Sequence, residues 1–206
     1  MALGLYRERV LPWLIHGAMR QEQLAPLRQR VVQGATGRVL EVGIGSGLNL
    51  PLYGRDVELV YGVDPSEALL EMARRRAGWM SFKVTLLVQS AEHLPLADRS
   101  FDTVVSSWAL CSIPDVAAAL AEIRRVLKPG GRLLFVEHGA APEPAVRRWQ
   151  DRLTPLWRPL AGGCHLNRPI DRLIAGAGLA LADLETGYLV EGPRLLTYHY
   201  LGVALA

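Results

Sequence analysis

The sequence is poor in cysteine and has no long apolar run. Its two cysteines, Cys111 and Cys164, are too few for a disulfide framework and suit a reducing compartment, so we expect a cytoplasmic protein. No apolar stretch approaches the ~20 residues that a membrane span needs, and we expect no secretory signal. Internal repeats and low-complexity tracts are also absent. We therefore expect one domain over residues 1–206.

Lysine is scarce as well, since Lys83 and Lys128 are the only two. Positive charge comes almost entirely from arginines, which are spread along the chain and leave a net charge of +3. Dispersed arginines are typical of solvated faces rather than of a nucleic-acid interface, so we expect no nucleic-acid partner. Half of the residues are hydrophobic and 21% are charged, as in a soluble globular enzyme.

One stretch organises the chain: an apolar run, Val39–Val42, ends in a glycine-rich turn. The run has the pattern of a parallel strand covered on both faces. The turn lets the backbone come close to a ligand, and its glycines are Gly43, Gly45 and Gly47. A second apolar run, Val57–Val63, ends on Asp64, whose carboxylate can accept hydrogen bonds from both ribose hydroxyls. This pattern predicts an adenosine-bearing cofactor across two neighbouring strand ends.

The glycine spacing bears on which cofactor binds. A dinucleotide fingerprint requires G-x-G-x-x-G, and Leu48 stands where its third glycine would be. A pyrophosphate needs that close approach and a free helix N-terminus. S-adenosylmethionine carries no phosphate, and its positively charged methionine end suits a carboxylate such as Glu41. This cofactor is therefore favoured, with a nicotinamide-dependent oxidoreductase and a ligand-free turn as alternatives.

Strands alternate with helices along most of the chain, which predicts an α/β fold with a doubly wound parallel sheet and helices on both faces. The first five predicted strands cover residues 39–42, 57–63, 82–88, 101–107 and 132–136. The main predicted helices cover residues 5–32, 66–78, 115–128 and 169–177, and Ser66 and Asp115 are the predicted N-caps of the second and third. Strand-like runs at 179–184 and 194–205 predict a C-terminal hairpin that closes one edge of the sheet.

We divide the predicted domain into three parts. Residues 1–36 form an N-terminal helical lid, 37–138 the cofactor-binding core, and 139–206 a substrate-side insert with the hairpin. The apolar residues around Trp13 are interrupted by Pro12, and we interpret them as a lid over the cofactor or as core. An interfacial helix that touches lipid is the alternative.

Four motifs in this order resemble the class I S-adenosylmethionine-dependent methyltransferases over nearly the whole chain. They are EVGIGSG at 41–47, GVDPS at 62–66, AEHLPLADRSFD at 91–102 and VLKPGG at 126–131. The resemblance implies a seven-stranded Rossmann-like methyltransferase fold, a small-molecule acceptor and S-adenosylhomocysteine as product. The cofactor-binding residues that it implies are Glu41, Gly43, Gly45, Asn49, Asp64, Pro65, Ser66, Ala91, Glu92, Ser107 and Trp108.

Further segments resemble the methyltransferase-like 7 group, whose members methylate small alkyl thiols. They are LCSI at 110–113, EH at 137–138, WQ at 149–150, PLW at 155–157, GCHLNR at 163–168 and GP at 192–193. Members of that group carry an apolar N-terminal membrane anchor, and we expect none in this sequence. A phospholipid or amine N-methyltransferase, a natural-product tailoring enzyme and a non-catalytic S-adenosylmethionine-binding protein are the alternatives.

His138 is the candidate catalytic residue because it follows the fifth strand, at the edge where such folds bind ligands. A base there could take a proton from the acceptor, or the imidazole could instead anchor the lid by a hydrogen bond. Cys164 is interpreted as a small buried side chain, with a nucleophile or methyl-acceptor role as the alternative. No Cys or His cluster has the sequence spacing of metal ligands, so we expect no metal site.

Overall fold

The N-terminal region is a broken helix rather than the continuous one predicted. The structure is a computed structural model that describes residue 4 and residues 6–206, apart from the side chain of Arg7. Leu5, the predicted helix start, lies outside the described residues. A π-helical turn (Tyr6–Val10), α1 (Leu11–Met19), a 3-10 turn (Glu22–Leu24) and α2 (Ala25–Val32) follow one another. Gln21 is extended, and Pro26 lies in the first turn of α2, where the N–H donor that proline lacks has no partner within the helix.

Seven strands form a single sheet. They are β1 (Gly37–Val42), β2 (Val57–Asp64), β3 (Lys83–Val88), β4 (Phe101–Ser107), β5 (Leu127–His138), β6 (Ala180–Tyr188) and β7 (Tyr198–Leu205). Their order is β3-β2-β1-β4-β5-β7-β6, with parallel pairing from β3 to β5. Strand β7 pairs antiparallel with both β5 and β6. The predicted doubly wound, mostly parallel sheet with a C-terminal hairpin at one edge is confirmed.

Helices cover both faces of this sheet. The remaining helices are α3 (Glu67–Ala77), α4 (Val116–Val126), α5 (Pro144–Trp157), α6 (Ile170–Gly176) and α7 (Arg194–Thr197). Helices α2 and α3 bury apolar side chains on one face of the sheet, and α4 and α6 do so on the other. The predicted caps are confirmed, since Ser66 and Asp115 accept hydrogen bonds from the first turns of α3 and α4. Within the described chain we find no helix with the length and hydropathy that a membrane span requires.

The last third departs from the prediction at two places. Residues 194–197, predicted as strand, form the short helix α7, and β7 begins only at Tyr198. Residues 144–157 form the fourteen-residue helix α5, although Pro155 predicts a break there. Proline removes one hydrogen bond of a helix, and this one stands two residues before the last residue of α5, where few bonds depend on it.

The carboxyl ends of β1, β2, β4 and β5 meet at one edge of the sheet. Strands β2 and β3 are added on one side of β1, and β4 and β5 are added on its other side. The strand order therefore reverses at β1. Ligands of doubly wound sheets bind in the crevice at such a reversal. This edge collects the glycine turn, Asp64, Ser107 and His138.

Candidate cofactor and acceptor site

The glycine turn after β1 packs tightly at its two ends and is open at its middle. All three glycines have positive φ, between 54° and 75°. A Cβ on Gly43 would lie 2.4 Å from the Cβ of Ala109, and a Cβ on Gly47 would lie 3.2 Å from the Cα of Ala73. At Gly45 the nearest atom would be 3.9 Å away. The outer glycines therefore let the turn pack, and the middle one leaves room for a ligand.

Asp64 lies beside the open part of this turn. Its Oδ2 accepts a hydrogen bond from the Gly45 N–H (3.0 Å), and its Oδ1 accepts one from the Ser66 N–H (2.8 Å). Burial raises the pKa of Asp64 to about 6, although both backbone donors oppose the shift. A carboxylate has about four acceptor positions. Asp64 therefore keeps capacity for the two hydroxyls of a ribose.

Glu41 lies beneath the turn and is only 2% exposed. Its two oxygens accept hydrogen bonds from Asn49 Nδ2 (2.7 Å) and from the Tyr53 hydroxyl (2.8 Å). Burial raises the pKa of Glu41 to about 7, opposed by the Tyr53 hydrogen bond and the Arg28 charge. Arg28 donates to Asn49 Oδ1 (2.9 Å), and Asn49 Nδ2 also donates to Ser107 Oγ (3.1 Å). This network fixes the Asn49 amide in one orientation.

Trp108, directly after β4, is one of two non-glycine residues with positive φ in the described chain (55°). Its backbone N–H donates to the Val136 carbonyl (2.8 Å), which ties it to β5. The Arg28 guanidinium carbon lies 5.0 Å from the indole centroid, in cation–π range. The His199 ring lies 6.0 Å away in a T-shaped arrangement. Trp108 is therefore held in a strained backbone conformation by contacts on both sides.

Helix α1 contacts the outside of the glycine turn. His16 Nδ1 lies 2.7 Å from Ser46 Oγ, and Arg28 of α2 donates to the Met19 carbonyl (3.1 Å). The helix also packs against the insert, because a Cβ on Gly162 would lie 3.0 Å from Ile15 Cδ1. Helix α1 thus joins the glycine turn to the insert, and the lid role of residues 1–36 stays a prediction.

The segment implied to flank adenine follows β3. Gln89 N–H donates to the Asp64 carbonyl (3.2 Å), which holds this segment next to the end of β2. Ala91 is buried, and the Glu92 carboxylate accepts from the Asp115 N–H and the Ser90 hydroxyl, both at 2.6 Å. These hydrogen bonds lower the pKa of Glu92. Its carboxylate therefore ties the segment to the start of α4.

Two further predicted residues, Pro65 and Ser66, follow Asp64. Pro65 is exposed, and the Ser66 hydroxyl caps α3. The structure thus collects the predicted cofactor residues along one edge, with Asp64 at the open turn and Glu41 beneath it. Sequence reasoning missed Arg28 and Tyr53, because neither residue belongs to a motif and both reach Glu41 only through the tertiary fold.

On the acceptor side, His138 ends β5 with 6% of its surface exposed. Its Nδ1 lies 3.5 Å from Cys164 Sγ, and its Nε2 is buried with no hydrogen-bond partner among the described residues. Cys111 joins this group, since one ligand atom of each of the three residues lies within 4.8 Å of the others. The sequence spacing gave no reason to expect this cluster, because its members are distant along the chain.

Glu137 shapes the loop that carries Cys111 and is fully buried. One oxygen accepts from the Ser106 hydroxyl and from the N–H groups of Ala109 and Leu110, and the other accepts from the Cys111 N–H. Burial raises the pKa of Glu137, and these donors oppose the shift. The carboxylate is thus saturated by the loop and organises the backbone beside His138.

The fit of S-adenosylmethionine can be judged from these contacts. The turn offers an uncovered approach at Gly45, Asp64 offers free acceptor positions, and neither feature provides the N–H cradle that a pyrophosphate needs. The groups present at this edge therefore suit a nucleoside with a sulfonium amino-acid tail.

Comparisons with known proteins agree with this geometry. A family profile described as a methyltransferase domain matches residues 40–135. The thiol S-methyltransferase TMT1B of Rattus norvegicus is 33% identical over 167 residues, covering 77% of this chain and 68% of that protein. The phosphatidylethanolamine N-methyltransferase of Cereibacter sphaeroides is 33% identical over 161 residues, covering 74% of each.

The fold has solved counterparts. A crystal structure of an S-adenosylmethionine-dependent methyltransferase from Mesorhizobium loti superposes with a TM-score of 0.67 at 22% identity, covering 91% of this chain and all (100%) of that one. The predicted Rossmann-like methyltransferase fold is confirmed, and so is the predicted enzyme class. The chain belongs to the class I S-adenosylmethionine-dependent methyltransferases.

Proposed function

We propose that the protein transfers the methyl group of S-adenosylmethionine to the sulfur of a small thiol. The observation that carries the proposal is the chemistry of the acceptor side, where an imidazole with an unpartnered Nε2 adjoins two sulfur atoms. The similarity to TMT1B, named a thiol S-methyltransferase, supports the same acceptor. The cysteine sulfurs and the imidazole are soft, polarizable groups. Such groups favour contact with a sulfur acceptor over contact with the hard cation of an amine head.

An amine acceptor is the second candidate, because a phosphatidylethanolamine N-methyltransferase is equally similar in identity. A protonated amine head needs a free carboxylate or an aromatic cage. Glu137 next to the acceptor side is saturated by four hydrogen bonds, and Glu41 is occupied by Asn49 and Tyr53. This saturation favours the thiol.

On the cofactor side, bound S-adenosylmethionine would supply an electrophilic methyl group on a sulfonium centre. We assign the ribose to Asp64, flanked by Pro65 and Ser66, and the adenine to the Ala91–Glu92 segment. The methionine end we assign to the turn at Gly43–Gly45, backed by the buried residues Glu41 and Asn49, with Ser107 and Trp108 lining the space towards the acceptor. Positioning two reactants in this way lowers the barrier by several kcal/mol, on the order of 7–11 in favourable cases.

On the acceptor side, a thiol reacts as its thiolate, so the site has to favour loss of the sulfur-bound proton. His138 is the titratable side chain that the end of β5 brings to this edge, and its buried Nε2 has no hydrogen-bond partner among the described residues. We assign it the role of contacting and orienting the acceptor sulfur. Cys111 and His138 are buried, whereas Cys164 is half-buried, so two of the three side chains shield the bound sulfur from water.

The test compares wild type, His138→Ala and the control His93→Ala, an exposed histidine away from the cluster. Methyl transfer to a small alkyl thiol is measured beside calorimetric binding of S-adenosylmethionine. We expect His138→Ala to lower kcat at least about tenfold with an unchanged cofactor Kd, because general acid–base and orienting groups contribute about 10²–10⁴. Equal turnover in both variants would remove His138 from the acceptor side, and faster methylation of ethanolamine lipid than of thiols would favour the amine.

A further inference from the structure

Two buried polar atoms lack a hydrogen-bond partner in the described part of the chain, and both belong to side chains that adjoin Cys164. They are His138 Nε2 and Trp157 Nε1. Unpaired buried polar atoms are rare and call for an explanation such as a missing ion or ligand. We refer to Cys111, His138 and Cys164 as the sulfur–imidazole cluster.

The fold builds this cluster by direct backbone contact. Gly163, just before Cys164, has a φ of 91°, and a Cβ there would lie 2.8 Å from the Ser112 carbonyl oxygen. The insert can therefore press against the loop of Cys111 only because residue 163 is glycine. The His165 N–H also donates to the Cys111 carbonyl oxygen (2.8 Å). The two cysteines are thus held together from both sides.

One distance within the cluster fits a tetrahedral metal, and the three ligand atoms all lie within 4.8 Å of one another. Zinc binds sulfur at about 2.3 Å and imidazole nitrogen at about 2.0–2.1 Å, which puts a sulfur and a nitrogen ligand about 3.5 Å apart. His138 Nδ1 and Cys164 Sγ are 3.5 Å apart. Two cysteines and one histidine make a three-ligand set, and catalytic zinc sites keep the fourth position open. We propose that Cys111, His138 Nδ1 and Cys164 bind Zn²⁺ and that the acceptor thiol takes the fourth position.

The proposal rests on the proposed function for the identity of the fourth ligand. When the thiol binds, its S–H bond breaks heterolytically, a zinc–sulfur bond forms and the proton passes to solvent water. A thiol on a metal ion is deprotonated, and the sulfur keeps a lone pair with which to attack a methyl group. Metal ions generate nucleophiles in this way without a separate base. With Nδ1 on the metal, Nε2 of the neutral imidazole would carry the ring's own proton, which is separate from the proton that the thiol loses to solvent.

The surroundings balance the charge of such a centre. Two thiolates neutralise Zn²⁺, so a third thiolate leaves one negative charge. Arg168 is buried and donates to the carbonyl oxygens of Leu110 and Pro114, on either side of Cys111. Its guanidinium therefore places a fixed positive charge next to the cluster, which stabilises the anionic complex.

Metal content is the first test. The full chain, reduced with a phosphine, is reconstituted with zinc alone, desalted and analysed by plasma mass spectrometry. We expect one zinc per chain in wild type and in the control His93→Gln, and loss of the metal in Cys164→Ala and His138→Gln. Circular dichroism checks that each variant is folded. Absence of zinc from reconstituted wild type would overturn the proposal without reliance on any variant.

The fourth position is tested with Co²⁺ in place of zinc. Cobalt bound to cysteine gives sulfur-to-metal charge-transfer absorption, and we expect 2-mercaptoethanol to intensify it while its oxygen analogue, ethylene glycol, leaves it unchanged. No methyl donor is present, so the spectrum is independent of turnover. If the cobalt absorption does not change when 2-mercaptoethanol is added, the assignment of the fourth ligand is overturned.

Transfer assays separate the two proposals. Thiol methylation by protein that binds no zinc would overturn the metal site and leave the proposed function intact. Zinc binding and a thiol-sensitive cobalt spectrum without thiol methylation would support the metal site and contradict the proposed function. A Cys111–Cys164 disulfide that persists after reduction, seen by mass spectrometry, would also contradict the metal site.

Discussion

Two buried carboxylates act differently at the cofactor edge. Asp64 accepts two backbone hydrogen bonds and keeps capacity for a ligand, whereas Glu41 is occupied by Asn49 and Tyr53. The position of Asp64 could be predicted, because it ends an apolar run that reads as a strand. The burial of Glu41 could not, since Arg28 and Tyr53 reach it only after the chain has folded.

Replacing Asp64 by Asn tests its assignment to the ribose. The amide keeps the size of the side chain but loses the charge and one of the two acceptor oxygens. We expect S-adenosylmethionine binding to weaken by about 1.5–3 kcal/mol, or roughly ten- to a hundredfold or a little more, measured by calorimetry. Asp56→Asn, at the exposed opposite end of β2, is the matched control. An unchanged Kd for the Asp64 variant would contradict the ribose assignment.

The raised pKa of Glu41 predicts a pH-dependent stability. Because the folded protein holds this proton up to about pH 7, against an ordinary value of 4.5, ionising Glu41 costs folding free energy as the pH rises through that window. Relative to wild type, Glu41→Gln should therefore gain about 1–3 kcal/mol of unfolding free energy from pH 4.5 to 7 and no more above it. Urea denaturation at several pH values measures this, with the exposed Glu71→Gln as control. If the unfolding free energies of wild type and Glu41→Gln change in parallel with pH, ionisation of Glu41 does not affect stability as described.

At the scale of elements, apolar periodicity was enough to predict the parallel strands and the caps at Ser66 and Asp115. The helix α5 was missed because Pro155 signals a break, whereas this proline lies so near the end of the helix that few hydrogen bonds depend on it. The same limit applies to α7, where four residues with strand-like composition are helical next to Pro193. Short segments near prolines depend on tertiary contacts that a local pattern does not contain.

A comparison of two glycines can separate the cost of a left-handed backbone conformation from the cost of a packing clash. Gly47 and Gly130 have similar φ values of 75° and 77°, but only Gly47 would place a Cβ against neighbouring atoms. We expect Gly130→Ala to lose about 1–2 kcal/mol from the left-handed conformation alone. Gly47→Ala should lose about 2–5 kcal/mol, because overpacking adds to that strain. Urea denaturation measures the free energy of unfolding of both variants. Equal losses of this free energy would show that the turn does not pack as described.

The lid role predicted for the N-terminal helices depends on the contact between His16 and Ser46. We expect His16→Ala to loosen α1, so that trypsin cleaves after the exposed Arg20 several-fold faster than in wild type. S-adenosylmethionine should slow cleavage of wild type. Leu14→Ala, which truncates an exposed side chain of the same helix, is the control. Cleavage at one rate in all three proteins, with or without the cofactor, would argue against a lid.

At the scale of the whole molecule, the fold brings the candidate cofactor residues and the sulfur–imidazole cluster together along one edge of the sheet. The cofactor side could be predicted, because its motifs are local sequence patterns at strand ends. The sulfur–imidazole cluster could not, because Cys111, His138 and Cys164 belong to three separate segments that only the β4–β5 pairing and the insert bring together. Chemistry built from distant segments is where sequence reasoning stops.

The most direct measurement of the central claim is transfer of a deuterated methyl group from S-adenosylmethionine to a mixture of small alkyl thiols and phosphatidylethanolamine vesicles, followed by mass spectrometry. We expect label on sulfur, as methyl thioethers, together with formation of S-adenosylhomocysteine. Label on the amine of the lipid, or on neither acceptor although the cofactor binds, would contradict this expectation.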